Sequence, residues 1–126
     1  MKAETPPDCY QLVIYLKRRR QIKVGALGNF VFKAGYYIYS GSAKRNLQAR
    51  LARHCRKQKP LRWHIDNLTS LPEASVIECR SFTGNECTLN QQCPGSIPVP
   101  GFGASDCQQN CGAHLKYLGR KRPRAC

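Results

Sequence analysis

Tyr36-Tyr37-Ile38-Tyr39-Ser40-Gly41-Ser42-Ala43 is the stretch on which the fold reading turns. Its aromatic and β-branched residues favour a pleated strand over Tyr36 to Ser40, and Gly41-Ser42 interrupts it. Immediately beyond, Arg45 to Gln58 contains no Gly or Pro, and Leu47, Leu51 and Cys55 recur every four residues, the spacing of an amphipathic helix. At about 100° per residue the same helix carries Arg50, Arg53, His54 and Lys57 on an adjoining face, extended by Arg45 and Arg56. One face is expected to pack and the other to form a basic stripe.

Working outward, Tyr10-Gln11-Leu12-Val13-Ile14-Tyr15-Leu16 reads as a first strand that ends at the charged run Lys17 to Arg20. Gln21 to Val24 and Phe30 to Lys33, separated by the Gly25-to-Asn29 turn cluster, read as a hairpin or a pair of short strands. Pro60 closes the helix, and Leu61 to Leu68 forms a short helical segment that brings Trp63, Ile65 and Leu68 to the core. Ala74 to Arg80 reads as a further strand, and Asn85 caps a last helix starting at Glu86. Cys93 to Gly103, with three Pro and three Gly, is a loop. This order predicts an α+β domain with a small, mainly antiparallel sheet flanked by helices, spanning residues 1–118 and followed by a basic tail over 119–126.

Charge narrows the partners. Lys and Arg number 21 against 7 Asp plus Glu, a formal net charge of +14 in 126 residues. Such an excess is self-repulsive unless an anionic partner offsets it, which points to nucleic acid or an anionic membrane. No apolar run approaches the roughly 20 residues of a membrane span, and Met1 to Pro7 has no apolar signal core, so a cytoplasmic protein with no membrane partner is expected. Eight cysteines in a reducing compartment are free, buried or metal-bound. Cys107, Cys111 and His114 place three possible zinc ligands in a short stretch, with Cys87 or Cys93 to complete a tetrahedron, although the paired Cys-x-x-Cys spacing is lacking.

Tyr36 to Ala43, followed by Leu47-Gln48-Ala49-Arg50-Leu51 and Arg53-His54, resembles the second half of the GIY-YIG nuclease signature and the helix behind it, with Tyr39-Ser40-Gly41 standing where that superfamily has Tyr-Ile-Gly. Trp63-His64-Ile65-Asp66, Glu86-Cys87, and Gly101 to Cys107 with His114-Leu115 resemble the prokaryotic branch described as a domain of unknown function, sometimes attached to a DNA-repair glycosylase. The resemblance implies a GIY-YIG-like fold and an endonuclease or nicking activity that hydrolyses DNA phosphodiesters with Mg²⁺ or Mn²⁺. A nucleic-acid-binding module that keeps the fold without cutting is the alternative. It also implies association with DNA-repair proteins.

By the same resemblance Tyr10 helps to deprotonate the attacking water, Tyr39 orients water or phosphate, Arg50 clamps the phosphate, His54 is a basic position one turn later, and Glu86 holds the divalent ion. Physical chemistry asks for these residue types independently: developing charge on a phosphate needs cations, and Mg²⁺ often uses one protein carboxylate together with waters and substrate oxygens. The first motif departs from the family pattern, reading Asp8-Cys9-Tyr10 without glycine, with a longer interval to Tyr39. Arg18, Arg19, Lys44, Arg53 and Lys57 are expected to contact the nucleic-acid backbone, which carries affinity but no base information. His64 and Asp66 have two readings, a hydrogen-bonded structural corner or the lining of the cleft.

Overall fold

Eight consecutive residues of the first strand, β1 (Cys9–Leu16), place alternate side chains on opposite faces, and that alternation organises the domain. The computed structural model describes residues 9–43, 46–61, 63–83, 95–100, 102 and 113–121. Within them β1 is followed by β2 (Arg20–Lys23), a 3₁₀ turn, β3 (Asn29–Phe32), β4 (Gly35–Ser42), helix α1 (Leu47–Cys55), helix α2 (Asp66–Thr69), β5 (Ala74–Phe82) and β6 (Leu115–Gly119). Four strands form a sheet in the order β5-β1-β4-β6, while β2 and β3 form a separate ribbon. Every pairing is antiparallel. The chain is therefore an α+β domain built on a small antiparallel sheet, as the residue pattern predicts.

β1 lies at the centre of the register. Tyr10 opposes Gly41, Leu12 opposes Tyr39 and Ile14 opposes Tyr37 on β4. Tyr10, Leu12, Ile14 and Leu16 point to one face, where they meet Tyr37, Tyr39, Leu47, Ile65, Leu68 and Phe102 in the main core. Ile22, Val24 and Phe32 of the ribbon join that core, which explains why a hairpin with charged neighbours stays attached to the sheet. On the opposite face Val13 and Ile38 are buried with Tyr36, Ile77 and Leu118 packed around them. A register shift between Val13 and Ile14 on the β5 side marks a bulge that lets β5 follow the twist. No helix among the described residues is long and apolar enough to cross a membrane.

Helix α1 departs from its sequence reading in length and in facing. It was expected over Arg45 to Gln58 but runs Leu47–Cys55, with Arg56 already extended at ψ 139°. The ammonium of Lys59 donates to the carbonyls of Arg53 (3.2 Å) and His54 (2.9 Å), satisfying acceptors that a further helical turn would have used. Cys55, expected on the packed face, is exposed, whereas His54, expected on the basic stripe, is fully buried. The buried stripe thus runs through Leu47, half-buried Leu51 and His54, positions related by the helical repeat. Counting an imidazole as a surface charge hides this.

Strand β6 was not anticipated; it pairs with β4 from Tyr36 to Tyr39. Ser96 adds an isolated bridge to Tyr117. The expected second helical segment shortens to α2, preceded by the turn at Trp63 to Ile65, with Ile65 and Leu68 fully buried and Trp63 half-buried. The helix expected at Glu86 lies outside the described residues, as does most of the basic tail.

Candidate functional site

Tyr10 and Tyr39 stand on adjacent strands with rings tilted toward one another, their centroids 6.3 Å apart. Helix α1 lowers His54 onto both, at 5.3 Å from the Tyr10 ring and 6.2 Å from the Tyr39 ring. The Tyr10 hydroxyl is hydrogen-bonded to Nε2 of His54 across 2.8 Å. All three are buried, at 2%, 8% and 0% exposure for Tyr10, Tyr39 and His54, so this polar triplet is embedded in the core rather than displayed on it. Gly41 makes room for the arrangement: a Cβ there would fall 2.5 Å from Cζ and from the hydroxyl oxygen of Tyr10. Glycine at the end of the Tyr39-Ser40-Gly41 run is therefore a packing requirement of the tyrosine opposite.

His54 is held neutral. Burial is the largest cause, and the cations Lys59, Arg53 and Arg50 add to it, lowering its pKa to about 4 while Asp66 pulls the other way. Its Nδ1 is buried without a hydrogen-bond partner among the described residues. An orphaned acceptor costs less than an orphaned N–H. We therefore assign the proton to Nε2, which donates to the Tyr10 oxygen, with Nδ1 left as the bare acceptor.

One helical turn before His54, Arg50 donates from Nη1 to the carbonyl of Ser42 at 2.6 Å, tying α1 to the end of β4. Its guanidinium lies 4.7 Å from the Trp63 ring, and that of Arg53 lies 4.4 Å from the same ring. Trp63 in turn packs on His54 at 5.8 Å. Arg53 makes a two-pronged ion pair with the buried Asp66, at 2.9 and 3.1 Å, and donates to the carbonyl of Pro60. Asp66 also accepts the backbone N–H of Trp63 at 2.9 Å. Of its two readings Asp66 thus takes the structural one, fixing Trp63 and through it the two arginines. His64 instead packs on Phe102 at 5.6 Å and faces an open cleft.

The structure brings together Tyr10, Tyr39, His54 and Arg50. Arg53 is nearby with its donors committed to Asp66 and Pro60. Lys57 is turned toward the backbone, donating to the carbonyls of Leu71, Thr69 and Ala74. Arg18 and Arg19 are exposed in the turn after β1, at the end opposite Tyr10, roughly 20 Å away at about 3.3 Å per strand residue. Lys44, Glu86, Cys107 and Cys111 lie outside the described residues; His114 is buried beside β4, its carbonyl accepting the N–H of Ser40. Among the described residues no three His, Cys, Asp or Glu side chains are arranged to hold a metal ion. Two phenols, a neutral imidazole and an arginine are not by themselves a divalent-cation site. The sequence places Trp63 in the core and offers Asp66 as a structural corner; what it does not show is that the two together hold Arg50 and Arg53.

Fold and site together define a small antiparallel α+β domain with a buried Tyr-Tyr-His cluster beneath an arginine-flanked tryptophan. Residues 9–126 match the family described as Domain of unknown function DUF123. The chain belongs to that family. No curated protein and no solved structure matches it.

Proposed function

We propose that this domain is a metal-dependent endonuclease or nicking domain of GIY-YIG type that hydrolyses phosphodiester bonds in DNA. The observation that supports this reading most is the meeting of Tyr10, Tyr39 and His54 within one cluster, with Arg50 one turn away, since these are the residues the sequence resemblance assigns to the chemistry. The net charge of +14 supplies the complementary attraction to a polyanion.

In this reading Arg50 contacts the scissile phosphate, and Tyr10, whose oxygen accepts the Nε2–H of His54, helps to deprotonate the attacking water. His54 is a weak base in the free protein because of burial and of Lys59, Arg53 and Arg50. Tyr39 orients water or phosphate beside the pair. Glu86 would hold Mg²⁺ or Mn²⁺, which would supply positive charge to stabilise the leaving group.

The deciding experiment is nicking of supercoiled plasmid with Mg²⁺ or Mn²⁺ by the parent protein and by Glu86→Ala, Arg50→Ala and Tyr39→Phe. Metal-dependent nicking in the parent that disappears in Glu86→Ala supports the nuclease; a folded parent that binds DNA and never nicks it overturns it. A second reading, a DNA-binding module without cleavage, is favoured by the burial of both phenols and the imidazole.

A further inference from the structure

Beside the cluster, between the β2–β3 ribbon and the turn into α2, opens a cleft of about 450 Å³ lined by Lys23, Gly25, Leu61, Trp63, His64 and Asn67. Trp63 is the single tryptophan of the chain and forms the shared wall between cleft and site. It touches His54 on the buried side and carries the guanidinium groups of Arg50 and Arg53 at 4.7 and 4.4 Å. Leu61 is 63% exposed, a large apolar side chain at the surface of an otherwise cationic region. Asn67, on that wall, donates from its amide nitrogen to the carbonyl of His64 at 3.1 Å, which fixes the orientation of the amide. Lys23 is exposed on the ribbon side.

An apolar and aromatic lining, one oriented amide and cations close by are the attributes of a place for a flat, hydrogen-bonding ring attached to an anion. We propose that the cleft receives an unpaired nucleobase of the strand whose phosphate contacts Arg50, with Trp63 and Leu61 holding the ring, Asn67 meeting its hydrogen-bonding edge and Lys23 the adjoining phosphate. This rests on the nucleic-acid reading above and specifies its substrate class. A base within a continuous duplex is stacked and cannot enter without extrusion. The domain therefore prefers strands with unpaired nucleotides, such as flaps, gaps and single-stranded ends, to blunt duplex.

The test is made without divalent metal, in chelator, so that it does not depend on cleavage. Protein is titrated with a fluorescently labelled short oligothymidylate, with an abasic strand of the same length and charge, and with a blunt duplex, following both anisotropy and the fluorescence of Trp63. The expected result is a change in Trp63 emission with oligothymidylate alone and an affinity about tenfold above that for the abasic strand. Leu61→Ala and Asn67→Ala, both at solvent-accessible positions, should remove that preference and leave abasic-strand binding unchanged. Equal affinity for the thymidylate and abasic strands, with Trp63 emission unchanged, overturns the base site while leaving backbone binding standing. Failure of all three nucleic acids to bind overturns both readings.

Discussion

The ring of Tyr10 lies directly against the backbone of Gly41, its cross-strand partner, with no space for a methyl group between them. Sheet register, not chain proximity, creates this contact, and it sets the tyrosine where its hydroxyl meets His54 at 2.8 Å. The glycine and the tyrosine are thus one structural unit on which the site depends.

Gly41→Ala is expected to displace Tyr10, because the new Cβ would sit 2.5 Å from its ring and hydroxyl and the buried ring has no solvent into which to move. Overpacking of this kind costs about 1–3 kcal/mol. Urea denaturation should register that loss, and the Tyr10–His54 contact should be broken in the variant's NMR spectra. An alanine variant as stable as the parent would show that the register is looser than described.

Acid should weaken the fold through His54. Its folded pKa of about 4 lies below the unfolded value of about 6.5. Between those limits the unfolded chain binds the proton and the native chain does not. Stability is therefore unaffected above the unfolded pKa and falls as pH drops from about 6.5 to about 4, by about 3 kcal/mol in all. Parent and His54→Gln, compared by denaturant titration at several pH values, should differ in slope across that window alone.

Removing Asp66 should be costly. The carboxylate is fully buried, binds Arg53 through two oxygens and accepts the N–H of Trp63. Asp66→Ala leaves a largely buried guanidinium and a backbone donor without that partner, and a loss of about 3 kcal/mol is expected. Thermal unfolding measures the loss, and the emission of Trp63 should change as the arginines release it. Unaltered emission would mean that Asp66 does not hold the tryptophan.

Cys79 should be a sluggish thiol although it is exposed. Burial of its sulfur environment and the neighbouring Cys55 push its pKa up to about 11, so little thiolate is present near neutrality. Iodoacetamide labelling followed by peptide mass mapping should find Cys79 modified at least about tenfold more slowly in native than in denatured protein at pH 8. Replacing Cys55 by serine should accelerate it.

The strands β1, β4 and β5 and the short ribbon were legible because runs such as Leu12-Val13-Ile14 and Tyr36-Tyr37-Ile38 carry their β preference locally. Strand β6 was not, since Leu115 to Gly119 becomes a strand chiefly by pairing with the free edge of β4. The helix was visible and its end was not, because the cap comes from Lys59 folding back on the carbonyls of Arg53 and His54. The motif resemblance likewise named Tyr10, Tyr39, Arg50, His54 and Glu86 as a group, of which Glu86 lies outside the described residues, while the helical periodicity read His54 as surface charge and Asp66 was left between two roles. Composition, residue order and local periodicity determined the fold class and the basic character, and the resemblance of short motifs supplied the candidate residues. Tertiary structure alone decided which of those residues meet: burial holds His54 as a neutral partner of Tyr10 well into acid, and ion pairing to Asp66 turns Arg53 inward. Both effects depend on groups far apart in the chain, which local patterns do not encode.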